Sequence, residues 1–316
     1  MAYATDIIED SFNRTREALF KPFNLKKWLK LGFVSFMGAR QGNLNNFRLD
    51  NSFNKVSNIS NFIKKWWAPL LGFGVMIGVI WSVLQSIFYF VFIDSIVKNK
   101  VEIKKSFKKN GYVGISLFLF RLTIGMIFLT IIGLLSLPLL MPLIQNFNNL
   151  SWDIISIPYL ILFIMLFVVM IIFLGLIHFV VNNMVAVDMY YRNIKFTAAW
   201  KQVIKLVKKE LKEVFIYFLM KIVLGIAGGI LALILILPLM VIMFAFFFMV
   251  GIVGAFSQFL ALPTTLIVIF VVIGFIGLLI FGYIAAVITL PIDVFFINYM
   301  LLFFNKLIEN NKGLLH

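Results

Sequence analysis

Three acidic residues stand at the ends of long apolar runs, each inside the same seven-residue pattern. The pattern is Ile or Val, then Asp, four further residues and Asn, with copies at Ile93–Asn99, Val187–Asn193 and Ile292–Asn298. A carboxylate near hydrocarbon is costly, and acids in such places often mark ion or substrate paths. Asp94, Asp188 and Asp293 are therefore candidates for a functional acidic site.

Two basic residues lie inside apolar runs. Arg121 and Lys221 are each roughly eight residues into a run, about 12 Å at 1.5 Å per residue, a depth from which a long side chain can reach the interface. With the three aspartates they allow two interpretations. The functional one is a ring of acid–base pairs lining a proton or substrate path. The structural one, which we favour, is a set of ion pairs and caps that fix the helices against each other.

The asparagines of the pattern predict helix ends rather than a ligand site. Residues five apart lie about 140° apart around an ideal helix, so each Asp and its Asn would not hold one ligand together. Asn99 and Asn193 are expected at left-handed C-caps. Asn298 is followed by more apolar sequence, which does not fit a cap.

A histidine and two glycine pairs complete the intramembrane candidates. His178 is expected to be hydrogen-bonded within the bundle, with a proton relay as the alternative. The pairs Gly74–Gly78 and Gly225–Gly229 have the four-residue spacing that favours close packing of membrane helices.

Composition indicates a polytopic membrane protein. Of 316 residues, 62% are hydrophobic and 13% charged, and several apolar runs exceed the ~18 residues of a membrane span. We predict an all-α bundle of about six spans, the first of them short, at residues 28–39. Cysteine is absent, which excludes disulfides and thiolate–metal sites. No catalytic, metal or cofactor motif is recognisable, so we expect no enzyme.

The chain also contains an internal repeat. Residues 103–144 align with residues 203–244 at a constant offset of 100, which matches Arg121 to Lys221 and Pro138 to Pro238. Together with the Asp-x4-Asn pattern, this predicts one integral membrane domain of three helical hairpins. Their approximate bounds are residues 5–99, 100–193 and 200–298.

Charge placement predicts orientation and partners. The net charge is +15, and the lysines cluster beside the apolar runs, a membrane-topology pattern that argues against nucleic acid. Both termini are expected in the cytoplasm of a multi-pass cell-membrane protein. Residues 5–20 predict an amphipathic helix, with Ile8, Phe12, Thr15 and Leu19 on its apolar stripe. Residues 192–212 predict an interfacial helix that contacts anionic lipid through basic side chains. These are Lys201, Lys205, Lys208, Lys209 and Lys212.

The opening of the chain resembles a known family. Residues 19–33, LFKPFNLKKWLKLGF, look like the Leu-Phe-x-Pro-Phe…Trp…Leu-Gly-Phe signature of uncharacterised bacterial and archaeal multi-pass proteins, and Leu290-Pro291…Phe295 is similar to that family's terminal motif. More loosely, the chain resembles the membrane domain found beside glycerophosphodiester phosphodiesterases. The resemblance implies a membrane fold over nearly the full length and no catalytic residue.

Two functions fit these observations. We favour a non-enzymatic membrane scaffold or accessory protein that binds lipid or a partner protein. The alternative is a transporter or channel for a small solute or ion that uses intramembrane acid–base pairs. A water-accessible cavity that reaches the charged residues would favour the second function.

Overall fold

The description that follows is of a computed structural model and covers residues 3–38, 57–145, 157–259 and 264–311. Within these ranges the regular structure is helical, as predicted. The helices are α1 (Tyr3–Asp6), α2 (Ile8–Phe20), α3 (Leu25–Gly38), α4 (Ser57–Val97), α5 (Ile103–Gln145), α6 (Ile157–Val180), α7 (Ala186–Arg192), α8 (Phe196–Lys209), α9 (Leu211–Phe259), α10 (Thr264–Ile288) and α11 (Leu290–Glu309). A π-helical turn, Val181–Val185, joins α6 directly to α7.

Within the described ranges, five helical stretches are long and apolar enough to cross a membrane. They are Gly72–Val97, Ile103–Leu139, Ile157–Arg192, Leu211–Met249 and Leu290–Glu309. Helix α10 adds a shorter apolar stretch, Val272–Ile288. Helix α3 has 14 residues, about 21 Å, which is less than the ~30 Å of a hydrocarbon core. The weak first span predicted at residues 28–39 is therefore not among the five, and residue 39 itself lies outside the described part.

The buried core lies at one end of the long helices. It contains the last turns of α4, the first turns of α5 and α9, the π-helical turn, α7 and one face of α11, together with buried residues of α1, α2, α3 and α8. The most apolar 18-residue windows of Ile157–Arg192 and Leu211–Met249 contain no buried residue. Because these helices are apolar on every side, lipid is the solvent that suits their outer parts.

Helix α2 packs against α11 through the predicted face, with one exception. Thr15 and Leu19 are buried together with Ser11. Phe12, predicted on the same stripe, is 62% exposed. The buried face of α2 is therefore rotated slightly from the predicted stripe, with Ser11 in the place expected for Phe12.

Helix α8 packs its apolar face against protein. Its buried residues are Phe196, Ala199, Val203 and Leu206, and Phe196 stacks on Phe120 of α5 with ring centroids 3.5 Å apart. Its lysines and Lys212 are exposed. A membrane contact of α8 would consequently use charged side chains rather than the apolar stripe.

Lys27 connects the N-terminal helices to the end of α4. Its Nζ donates to the carbonyl oxygen of Ala18 and to Oδ1 of Asn99, each at 2.6 Å. Partial burial lowers the pKa of this ammonium group. The contact with Ala18 satisfies one of the carbonyls left open at the end of α2.

The glycine pairs do not form the predicted packing contacts. A Cβ added at Gly74, Gly78, Gly225 or Gly229 would meet no atom within 4 Å, so this prediction is wrong for the packing of the described chain. Close approach occurs elsewhere. At Gly114 an added Cβ would lie 2.7 Å from Cα of Ile87, which places the backbones of α5 and α4 in near contact.

Candidate functional site

A polar cluster surrounds the π-helical turn between α6 and α7. π-Helical turns are rare and frequently occur at functional sites. This one carries Asn182 and Asn183, and the Tyr89 hydroxyl of α4 donates to the carbonyl oxygen of Asn182 at 2.7 Å. The turn is therefore anchored to a neighbouring helix.

Arg121 reaches the cluster from α5. Its Nη2 donates to Oδ1 of Asn182 at 2.7 Å, and its Nη1 donates to Oγ of Ser86 on α4 at 3.2 Å. The guanidinium group thus bridges α4 and the π-helical turn. These partners are neutral, so the bonds hold the arginine without removing its charge.

Lys221 reaches the cluster from α9. Its Nζ donates to Oδ1 of Asn183 and lies 6.0 Å from the ring centroids of both Phe179 and Phe296. The Tyr217 hydroxyl donates to the same Oδ1 at 3.3 Å. No ion pair joins Lys221 to a carboxylate of the described residues.

The amide of Asn183 is oriented by its own bonds. Its Nδ2 donates to the carbonyl oxygen of Phe179 at 2.7 Å, so Oδ1 faces Lys221. The opposite assignment of the amide would place a donor against the ammonium group, and the network therefore favours the observed one.

Two cavities lie beside α6 and are partly lined by residues of this cluster. One, of about 620 Å³, lies between α6, α9 and α11 and is lined by Lys221, Asn183 and Asp293 among largely apolar residues. The other, of about 470 Å³, lies between α5 and α6 and is lined by Arg121. His178 and Gly175 line both cavities. Arg121 and Lys221 therefore line separate cavities, one on each side of α6.

His178 differs from the expectation. The residue is exposed, and its imidazole makes no hydrogen bond within the described part of the chain. The prediction of a hydrogen-bonded histidine inside the bundle is therefore wrong.

Asp94 is fully buried, and its carboxylate contacts side chains of α5 and α7 as well as Lys98. Its Oδ2 accepts from Lys98 Nζ at 2.8 Å and from Ser106 Oγ at 2.5 Å. Its Oδ1 accepts from the Tyr190 hydroxyl at 2.8 Å, and Lys109 Nζ lies 3.8 Å from it. The carboxylate ties α4 to α5 and α7, and it lines neither cavity of α6.

Asp188 forms an ion pair with Arg192. Its Oδ1 lies 3.0 Å from Nε of Arg192, four residues onward, and Arg192 Nη1 donates to Oε1 of Gln202 on α8 at 3.0 Å. Oδ2 of Asp188 is buried and has no hydrogen-bond partner among the described residues. This pair joins α7 to α8.

Asp293 is the acid of the pattern that lines a cavity. Its Oδ2 accepts a hydrogen bond of 2.6 Å from Oγ of Ser35 on α3. The three aspartates therefore have different settings. Asp94 and Asp188 form ion pairs within the core, whereas Asp293 lines the same cavity as Lys221.

The asparagines of the pattern follow the capping prediction. Asn99 and Asn193 adopt left-handed conformations with φ of 54° and 55°, directly after α4 and α7. Asn298 lies inside α11, where its Nδ2 donates to Oγ1 of Thr15 at 3.1 Å. It holds α2 against α11 instead of ending a helix.

Several partners of the cluster are not apparent from sequence. Ser86 and Tyr89 have no distinguishing spacing in an apolar run. The histidine and the asparagine pair, His178-x3-Asn182-Asn183, are the polar signal that points to the cluster. No group of three or more His, Cys, Asp or Glu side chains in the described ranges is arranged to hold a metal ion.

Comparison with known proteins places the chain in a family without assigning it an activity. No curated protein and no solved structure matches it. One family model matches residues 2–311, nearly the whole chain, and is described as a family of unknown function, DUF7544. The expectation of an uncharacterised family is confirmed: the chain belongs to the DUF7544 family.

Proposed function

We propose that the protein is a non-enzymatic, multi-pass protein of the cell membrane that binds an anionic lipid in the cavity between α6, α9 and α11. Both termini face the cytoplasm in this proposal. The observation that carries it is the ammonium group of Lys221, which lies with Asn183 in the polar part of a largely apolar cavity. Asp293 also lines this cavity, but its carboxylate accepts a hydrogen bond from Ser35 of α3. An anionic lipid has the same division between a charged headgroup and apolar chains.

The partners of Lys221 support an anionic ligand. A cation in a low-dielectric site is stabilised by nearby negative charge, and its bond to Asn183 supplies a dipole only. A phosphate oxygen would form a charge-assisted hydrogen bond with the same ammonium group. Asn183 would then hold the lysine in place for its ligand.

We also propose that the chain is related to the membrane domain that accompanies glycerophosphodiester phosphodiesterases. This relationship carries over no catalytic residue. The exposed lysines of α8 would face the anionic cytoplasmic leaflet in the proposed orientation. Lipid binding in the cavity is compatible with a scaffold that also binds a partner protein.

The test is a titration of the detergent-purified protein with phosphatidylglycerol or phosphatidylcholine, followed by native mass spectrometry. A charge-assisted bond contributes ~1.5–3 kcal/mol, so Lys221→Gln should weaken phosphatidylglycerol binding about 10- to 100-fold. Phosphatidylcholine binding should change less. Lys201→Gln, which removes an exposed lysine of α8, is the matched control. The same number of bound phosphatidylglycerol molecules with the same affinities in Lys221→Gln as in the wild type would overturn the proposal.

Transport of a small solute or ion is the second candidate function. It is favoured by one observation, that Lys221 and Asp293 line the same cavity. Proteoliposomes loaded with chloride or inorganic phosphate, or with a pH-sensitive dye, would test it. Transport predicts a flux in the wild-type protein that is lost in both Lys221→Gln and Asp293→Asn and kept in Lys201→Gln. Absence of all three fluxes in the wild-type protein would exclude these substrates.

A further inference from the structure

An apolar groove of about 770 Å³ lies between α2, α9 and α11, on the far side of Phe296 from the Lys221 cavity. Its lining includes Phe12, Leu224, Leu231, Ile292, Phe295 and Phe296. Arg16 is the charged residue of the lining. The groove is thus apolar along its length and basic at one point.

The groove has a closed floor. A Cβ added at Gly228 would lie 3.1 Å from Cε2 of Phe296 and 3.3 Å from Cγ2 of Ile292. Helices α9 and α11 therefore approach closely at Gly228, and side chains of α11 form the base. The α9 wall belongs to the stretch Leu211–Met249, which is long and apolar enough to cross a membrane.

The side chains along the groove need an apolar occupant. Phe12 is 62% exposed and Leu231 is 49% exposed. Leu231 belongs to the membrane-length stretch Leu211–Met249, so lipid rather than water is the medium that suits this part of the groove. These residues would be stabilised by a ligand that fills the space between α2 and α9.

We propose that this groove binds an acyl chain of an anionic phospholipid whose phosphate pairs with Arg16. The wall of a membrane-crossing helix places the groove within reach of lipid chains, and the guanidinium group matches a phosphate in charge and geometry.

Lipid binding at the groove can be measured by native mass spectrometry of the full-length protein in the Lys221→Gln background, with phosphatidylglycerol and phosphatidylcholine as probes. The Lys221→Gln substitution removes the positive charge at the cavity between α6, α9 and α11. Lipid binding at the groove can therefore be measured separately from binding at that cavity. Arg16→Gln should weaken phosphatidylglycerol binding about tenfold and leave phosphatidylcholine nearly unchanged. Ala227→Trp, which places an indole in the groove, should weaken both lipids.

Each variant has a control. Arg14→Gln removes an arginine of α2 that lines a different pocket. Ile226→Trp adds an indole at an α9 position that is 62% exposed and does not line the groove. Both controls should bind like the parent protein. Parental affinities for both lipids in Arg16→Gln and Ala227→Trp would overturn the proposal. So would a dimer that Ala227→Trp dissociates with no change in lipid binding, because the occupant would then be a second copy of the chain.

Discussion

Arg121 and Lys221 donate hydrogen bonds to the side chains of adjacent residues, Asn182 and Asn183. The two cations are 100 positions apart, the same offset that aligns their helices in sequence. They approach the π-helical turn from α5 and α9, on opposite sides of α6. A single turn with two amides thus binds the side chains of both Arg121 and Lys221.

The first prediction concerns the bond between Lys221 and Asn183. Asn183→Leu removes the acceptor and leaves a partly buried ammonium group without this partner, so the free energy of unfolding should fall by ~1.5–3 kcal/mol. Thermal unfolding in lipid-free detergent, followed by tryptophan fluorescence, measures the change.

A double-mutant cycle supplies the control for this prediction. Lys221→Met combined with Asn183→Leu should destabilise the protein by less than the sum of the two single changes, because the second substitution removes an interaction already lost. Additive losses would show that the two side chains do not stabilise each other.

The second prediction concerns Asp94. Asp94→Asn removes the charge that Lys98 and Tyr190 both contact, and hydrogen bonds to charged groups contribute ~1.5–3 kcal/mol each. We expect a loss of about 2–3 kcal/mol, measured by the same unfolding assay. Glu102→Gln is the comparison, because the exposed pair of Glu102 and Lys105 should contribute less than about 1 kcal/mol. Equal effects at the two acids would contradict the role assigned to Asp94.

Local interactions were predictable from sequence, and those set by tertiary packing were not. The C-caps at Asn99 and Asn193 depend on the conformational preference of Asn at the end of an apolar run, and they form as predicted. The third asparagine, Asn298, was recognised as different, but its bond to Thr15 joins residues 283 positions apart. No local pattern signals such a contact.

The sequence singles out the charged residues from which the candidate site is built, but not their arrangement. Arg121, Lys221 and Asp293 were identified because charged residues are rare in apolar runs. Asp293 lines a cavity beside α6 and Asp94 and Asp188 do not, because the helices pack differently around each of them. The shared Asp-x4-Asn pattern does not encode this packing. The π-helical turn depends on helix packing as well, since Val-Asn-Asn-Met-Val carries no distinct local signal for it.

The third prediction compares two glycines of α5. Gly114→Ala should destabilise the protein, because the new Cβ would lie 2.7 Å from the backbone of α4 at Ile87. Overpacking of this kind costs ~1–3 kcal/mol. Gly111→Ala meets no atom within 4 Å and should stabilise α5 by ~0.5–1 kcal/mol. The unfolding midpoints of the two variants should therefore move in opposite directions, and a shared direction would contradict the close contact of α4 and α5.

The fourth prediction concerns the left-handed residue after α7. Asn193 has φ of 55°, a conformation that glycine adopts freely and that a β-branched residue adopts at a cost of ~1–2 kcal/mol. Asn193→Gly should leave the unfolding midpoint unchanged or raise it, and Asn193→Val should lower it. The same valine substitution at Tyr191, an exposed residue inside α7, gives the reference for the loss of a polar side chain without a change of backbone region. If Asn193→Val were no more harmful than Tyr191→Val, the turn between α7 and α8 would not depend on a left-handed residue, and the capping role assigned to Asn193 would be wrong.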